Sequence, residues 1–129
     1  MIGVPAGYRL AVLLRAAFPR CVAHEIRLLP PFVITESGAA LAGEVQPDGQ
    51  IDDSTRIDYL TRHLEAVATA IKMGVDVQGF YVWSLLDAWE WNDGFQPRYG
   101  LVDVDHVTQV RRPKRSFAWY AELVAAHRS

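Results

Sequence analysis

A carboxylate that closes an apolar run is the first place in this chain where chemistry could occur. Phe32-Val33-Ile34-Thr35 stops at Glu36, followed by Ser37-Gly38. Apolar, β-branched runs of this kind are strands buried on both faces. An acid at the end of such a strand can serve as a metal ligand, a base or a nucleophile. A second concentration of chemistry-bearing types lies at Trp83, Trp89, Glu90 and Trp91. A pyranose has apolar C–H faces that lie flat on indole rings, and its hydroxyls suit a bidentate acceptor. Indoles beside a carboxylate therefore fit a sugar. Each residue also has a plainer reading: Trp83 as a packed core indole, Glu90 as a solvated acid, Glu36 as an ordinary strand-end charge.

Other chemistries fit less well. Metal binding needs several His, Cys, Asp or Glu ligands at suitable spacing. His24-Glu25 and Asp103-Val104-Asp105-His106 are the only clusters, and neither adjoins a legible site. A phosphate site would want a glycine-rich turn entering a helix. Ser37-Gly38-Ala39 offers too little, and Glu36 beside it would repel the anion. No metal and no organic cofactor is expected.

The elements that must position these groups follow from periodicity. Residues 32–36 read as a short buried strand. Residues 37–52 read as a loop, with Pro47-Asp48-Gly49 as a turn signal. A helix is expected from about Ser54 to Met73, where Ile57, Leu60, Leu64, Val67, Ala68 and Ile71 recur at steps of three and four. Asp52, Asp53 and Ser54 are its N-cap candidates, and Lys72 and Gly74 its stop signals. Arg56, Arg62, His63 and Glu65 should then lie on the wet face. Gly79 to Ser84 reads as a second strand, 85–97 as an aromatic loop, and Arg98 to Asp103 as a shorter strand. Pro113 suits the first turn of a closing helix whose apolar face is Phe117, Tyr120, Leu123, Val124 and His127. Residues 10–18, LAVLLRAAF, also have helical spacing, and Pro30-Pro31 ends whatever precedes it.

Strands separated by a helix of this length imply parallel βαβ units. In such folds function sits beyond the carboxyl ends of the strands. Glu36 and the segment from Trp83 to Trp91 occupy two such ends, so parallel neighbouring strands would bring them to one face.

Bulk properties agree with a globular chain. Its 129 residues are half hydrophobic and 22% charged, with net charge -2, which suits one ordered domain or part of one. No basic stripe marks a nucleic-acid partner, and Arg111-Arg112-Pro113-Lys114-Arg115 reads as a solvated loop or helix start. No run is apolar enough for a membrane helix. The single cysteine, Cys21, precludes an internal disulfide, so a reducing, cytoplasmic setting is expected.

Val33-Ile34-Thr35-Glu36-Ser37-Gly38, the helical segment Asp53 to Lys72, and Tyr81-Val82-Trp83-Ser84-Leu85-Leu86-Asp87-Ala88-Trp89-Glu90-Trp91 together resemble the C-terminal part of glycoside hydrolase family 1. This is the β-glucosidase and β-galactosidase family of (β/α)8 barrels. Arg98-Tyr99-Gly100-Leu101-Val102, Arg112-Pro113-Lys114-Arg115-Ser116 and Trp119-Tyr120 resemble its closing segments. The resemblance covers roughly residues 31–127. Two long motifs in the right order make it specific.

The resemblance implies an α/β chain that forms the C-terminal portion of a TIM barrel, about its seventh and eighth βα units. Residues 31–129 would belong to that barrel domain, and residues 1–30 match the family poorly. It implies that Glu36 is the nucleophile of a retaining glycosidase and that Trp83 packs against the glycone. It further implies that Glu90 and Trp91 bond the sugar hydroxyls, and that Tyr99 is an aromatic near the glycone. Ser37 stands where the family more often has Asn.

Retaining hydrolysis also needs a second carboxyl, about 5–5.5 Å from the first. The family carries it in an Asn-Glu-Pro motif. The only asparagine here is Asn92, and Asp93 follows it. A (β/α)8 barrel takes about 250 residues, so this chain resembles the last quarter or so of one and would need the N-terminal barrel segment to be complete. The implied partner is a β-linked glucoside or related small saccharide. Asn92-Asp93-Gly94-Phe95 shows no phosphate site of the family's Ser-Lys-Tyr kind, which argues against a 6-phospho-sugar. Two other readings stand beside the enzyme: a non-catalytic sugar-binding remnant, and an unrelated small α/β module with its aromatics in the core.

Overall fold

The computed structural model describes residues 30–127. The helical run at 10–18, Cys21 and the His24-Glu25 pair lie outside them. The elements, in order, are β1 (Phe32–Ser37), β2 (Glu44–Val45), β3 (Ile51–Asp52), α1 (Ser54–Lys72), β4 (Val77–Val82), β5 (Val102–Val104), β6 (Arg111–Pro113) and α2 (Arg115–Ala126). They form three two-stranded sheets, β1-β4, β2-β3 and β5-β6. The amide of Phe32 donates to the Asp76 carbonyl and that of Trp83 to the Ser37 carbonyl. Both strands therefore advance in the same direction, so β1 and β4 are parallel, with α1 as the crossover that parallel pairing requires.

The described residues fall into two compact units. One holds residues 30–35 and 59–81, the other residues 36–58 and 82–127. In the first, Leu60, Val67 and Val75 are buried. Leu60 and Val67 belong to the expected stripe of α1, one face at helical spacing. Ala68 and Ile71, expected in the same stripe, are exposed.

In the second unit Ile51, Leu101, Val102 and Val104 are buried beside seven polar residues. Here sequence and structure differ at several places. The expected loop 37–52 contains a hairpin. Glu44 pairs with Asp52 and Val45 with Ile51, closed by bonds from the Gln46 amide to the Gln50 carbonyl and from the Gly49 amide to the Gln46 carbonyl, with Gly49 at φ 83°. The strand expected at Arg98–Asp103 is confined to Val102–Val104, and its partner is the basic run: Asp103 faces Arg112 and Val104 faces Arg111. Pro113 ends β6 instead of starting a helix. A proline is tolerated at a strand end, where its missing N–H breaks no ladder, and α2 begins two residues later.

A further difference is Arg56. Its position on the polar side of α1 predicts a solvated cation, yet it is only 1% exposed. The reason is hydrogen bonding: all five of its N–H donors are taken, as described below.

Candidate active site

Glu36 lies near the end of β1 and is exposed. The next two residues press against the other parallel strand's end. Ser37, buried, accepts a hydrogen bond from the Trp83 amide at 3.0 Å. A Cβ on Gly38 would fall 1.8 Å from the Trp83 carbonyl oxygen, so only glycine permits this approach. The strand that bears Glu36 is thereby fixed to the backbone of Trp83, and the Trp83–Ser84 peptide is cis.

The Trp83 indole is 39% exposed. Its Nε1 donates to Glu90 Oε1 at 3.2 Å, which fixes a carboxylate at the edge of an open indole. Glu90 sits in a tight turn closed by two hydrogen bonds with Gly94: the Glu90 amide to the Gly94 carbonyl at 2.8 Å, and the reverse at 3.1 Å. Inside that turn Trp91 adopts φ 34° and is 89% exposed. A bulky residue at positive φ costs on the order of 1–3 kcal/mol, and such strain collects at functional sites. A large apolar ring held out in water at that cost is a candidate contact for a ligand. Trp89 meets Phe95 edge-on at 5.0 Å, and Phe95 lies over His106 at 3.9 Å.

Tyr99 is half-buried. Its carbonyl accepts from the Ser84 amide at 3.3 Å and from Arg56 at 2.9 Å, so its backbone is bonded directly to the residue after Trp83. The structure thus joins Ser37, Gly38, Trp83, Ser84, Glu90 and Tyr99 through hydrogen bonds and close approach. Trp91 is joined to them through its own backbone turn.

Two buried polar clusters hold this loop, and neither was visible as a site residue in the sequence. In the first, Asp87 Oδ1 accepts from the Gly100 amide at 2.7 Å and from Lys114 Nζ at 3.0 Å. Lys114 Nζ also donates to the Gly100 carbonyl at 2.7 Å. Asp87 Oδ2 takes no aligned hydrogen bond, but it lies 2.9 Å from Lys114 Nζ and 3.7 Å from Arg98. Burial pushes the Lys114 ammonium pKa down, opposed by the hydrogen bond and charge of Asp87. The residues are 27 apart in sequence, so no local pattern announces the pair.

In the second cluster Asp53 accepts from the Ser116 amide at 2.8 Å, the Ser116 hydroxyl at 2.6 Å and Arg56 Nε at 3.0 Å. Only the local spacing Asp53-x-x-Arg56 could have hinted at it. Among the described residues no group of three His, Cys, Asp or Glu could hold a metal ion, and no helix is long and apolar enough to cross a membrane.

Comparison with known proteins identifies the family of the chain. The glycosyl hydrolase family 1 profile matches residues 14–129. A bifunctional beta-D-glucosidase/beta-D-fucosidase of Bifidobacterium breve is 48% identical over 101 residues, 75% of this chain and 22% of that protein. A 6-phospho-beta-galactosidase of Streptococcus equi subsp. zooepidemicus is 47% identical over 92 residues, 71% of this chain and 19% of that protein. The chain therefore spans about a fifth of the length of these relatives.

Among solved structures, the psychrophilic beta-glucosidase BglU of Micrococcus antarcticus superposes with a TM-score of 0.82 at 42% identity, over 97% of this chain and 26% of its own. The family 1 β-glucosidase of Thermotoga maritima, in complex with isofagomine lactam, gives 0.73 at 40% identity, over 81% of this chain and 26% of its own. These neighbours are β-glucosidases, and the likeness is that of a partial barrel. With a family profile that spans nearly all of its residues, this chain belongs to glycosyl hydrolase family 1.

Proposed function

We propose that this chain supplies the nucleophile and part of the sugar platform of a retaining, β-glucosidase-type glycoside hydrolase, as about the seventh and eighth βα units of its barrel. The observation that carries the reading is the Trp83–Glu90 hydrogen bond, with the strand end after Glu36 packed on the Trp83 backbone. A carboxylate nucleophile, an open indole and a second oriented carboxylate then belong to one bonded set.

In this reading a Glu36 oxygen attacks the anomeric carbon of a β-glucoside. The bond from C1 to the aglycone oxygen breaks as that oxygen receives a proton from a second carboxyl group. The resulting glycosyl ester is cleaved by water, activated by the same second group as base. Trp83 and Trp91 offer faces to the ring, Glu90 accepts from its hydroxyls, and Tyr99 lies near the glycone. The proton donor must come from sequence outside these 129 residues, which contain no Asn-Glu-Pro. Without it a rate factor of roughly 10²–10⁴ is forfeited, so the 129-residue chain alone is expected to show no turnover of an aryl β-glucoside. Asn92-Asp93-Gly94-Phe95 shows no phosphate site of the Ser-Lys-Tyr kind, which disfavours a phosphorylated sugar. A reducing, cytoplasmic setting belongs to the same reading, on the ground of the lone Cys21.

The test is a hybrid. Thermotoga maritima beta-glucosidase A is 46% identical over 95 residues, and residues 30–127 can replace its matching segment. The hybrid should hydrolyse an aryl β-glucoside with retention of configuration. Glu36→Gln in it should lower turnover by on the order of 10⁴-fold or more, the scale of losing a nucleophile. A Glu36→Gln hybrid as active as its parent hybrid would refute the assignment.

A further inference from the structure

We propose that Arg56 is the positioning residue of this site: one buried guanidinium gathers the two backbone segments that follow Glu36 and contain Tyr99. The inference rests on reading those two residues as sugar-facing.

An arginine has five N–H donors in a rigid planar fork, and Arg56 uses all five. Nε donates to Asp53 Oδ2 at 3.0 Å. Nη1 donates to the carbonyls of Ala39 at 2.8 Å and Tyr99 at 2.9 Å. Nη2 donates to the carbonyls of Leu41 and of Arg98, the latter at 2.6 Å. Two acceptors thus come from the segment three and five residues after Glu36, and two from Arg98 and Tyr99. The Leu41 amide ties the same segments by donating to the Arg98 carbonyl at 3.1 Å.

The fork is itself held. Asp53, 1% exposed, orients Nε and is fixed in turn by the amide and hydroxyl of the fully buried Ser116 at the start of α2. Four carbonyls converging on one point would repel one another without a cation. A buried cation with every proton placed fixes the direction of each carbonyl, and so the path of each segment. Lysine could not substitute: its three protons radiate from one atom, leaving at least two of these five acceptors without a donor.

The test is amide hydrogen exchange on the full 15N-labelled chain, as wild type, Arg56→Lys and Arg56→Met. The probes are the Leu41 amide, bonded to the Arg98 carbonyl, and the Ser84 amide, bonded to the Tyr99 carbonyl. Both should exchange about tenfold faster or more in each variant, the scale of one lost buried hydrogen bond. The Asp87 and Val102 amides, bonded to the Val102 and Leu85 carbonyls, serve as controls and should stay near their wild-type rates. Restoration by lysine, or equal acceleration at probes and controls, would overturn the proposal. Should both variants fail to fold, Ser116→Ala gives the milder case and must show the same pattern of probes over controls.

A second readout is saturation transfer from the Tyr99 ring protons to methyl β-glucoside, which should fall in Arg56→Lys. Unchanged transfer there overturns the link to the site. No transfer from the wild-type chain counts against the sugar reading itself, and the exchange result still decides Arg56.

Discussion

The two units bury different things. In residues 30–35 and 59–81 the buried side chains among those described are Leu60, Val67 and Val75. In residues 36–58 and 82–127 they are Ser37, Asp53, Arg56, Ser84, Asp87, Lys114 and Ser116, against four aliphatic residues. Apolar burial is non-directional and mainly rewards volume. A hydrogen bond weakens steeply when its angle is wrong. The unit that carries every candidate site residue is thus the one whose interior specifies angles. Charged interiors add little net stability over hydrocarbon of the same volume, so the polar core is better explained by geometry: it holds the segments around Glu36, Trp83 and Tyr99 in fixed paths.

The sharpest way to break this contrast is one substitution of similar shape in each unit. Lys114→Met keeps the length of the side chain and leaves Asp87 buried without its cation. It should cost about 3–5 kcal/mol, the scale of breaking a buried pair from one side. The loss should be read as lost exchange protection at the Gly100 and Leu101 amides. Leu60→Met, on the fully buried Leu60 of the other unit, should cost less than about 1.5 kcal/mol, because it conserves volume. Helix α1 should melt nearly as before by circular dichroism. Equal losses in the two variants would show that both interiors are governed by volume alone.

The same contrast explains what could be read from the chain. Volume-driven burial leaves a period, and the period of Leu60 and Val67 placed α1 to within a residue. The parallel strands were legible, β1 from its β-branched run and β4 from its aromatics, although β4 spans Val77–Val82 rather than Gly79 to Ser84, and β1, expected to be buried, leaves Val33, Thr35 and Glu36 exposed. Polar burial leaves no period. Arg56 lies on the polar side of its helix and looks identical, in sequence, to a solvated arginine such as those expected at the surface. What buries it are carbonyls of Ala39, Leu41, Arg98 and Tyr99, which every residue type possesses. Lys114 sat inside a basic run that reads as solvated, yet its partner Asp87 is distant in sequence. Glu36, Trp83, Glu90 and Trp91 were nominated by residue type at strand ends and given their roles by motif resemblance, and Tyr99 was nominated by resemblance alone. The Trp83–Glu90 bond joins residues seven apart in a loop, where no regular period marks a contact.

A smaller effect probes the exposed aromatics, which lie outside both cores. Trp91→Ala removes a ring that is almost wholly in water, so stability should change by no more than about 0.5 kcal/mol. Saturation transfer to methyl β-glucoside should nevertheless decline, because a stacking face is gone. A large stability loss with unchanged transfer would make Trp91 structural and move it to the Lys114 side of the comparison.

The smallest expected effect tests whether directional polar contacts matter when they are not buried. Asp105 Oδ1 accepts from the Val107 amide at 2.9 Å and the Thr108 amide at 3.0 Å, in the turn that joins β5 to β6. The backbone bond from Thr108, then that from Val107 and the Thr108 hydroxyl, hold the Asp105 pKa below its ordinary value. A carboxyl whose pKa is lowered by folding stabilises the fold above its unfolded pKa, about 3.9, and loses that contribution as pH falls through the still lower folded value. The Val107 and Thr108 amide resonances should therefore shift together on titration from pH 5 downward, with a midpoint below 3.9, as in the lowered direction. Asp105→Asn still offers an acceptor but no charge, so it should flatten that titration while leaving the Arg111–Val104 pairing of β5 and β6 in place. The amides flanking Lys114 and Arg56 should be indifferent to this substitution. If instead they move with Asp105, the exposed turn and the buried polar core form one cooperative network, and the angle-setting role belongs to the whole unit rather than to its buried charges.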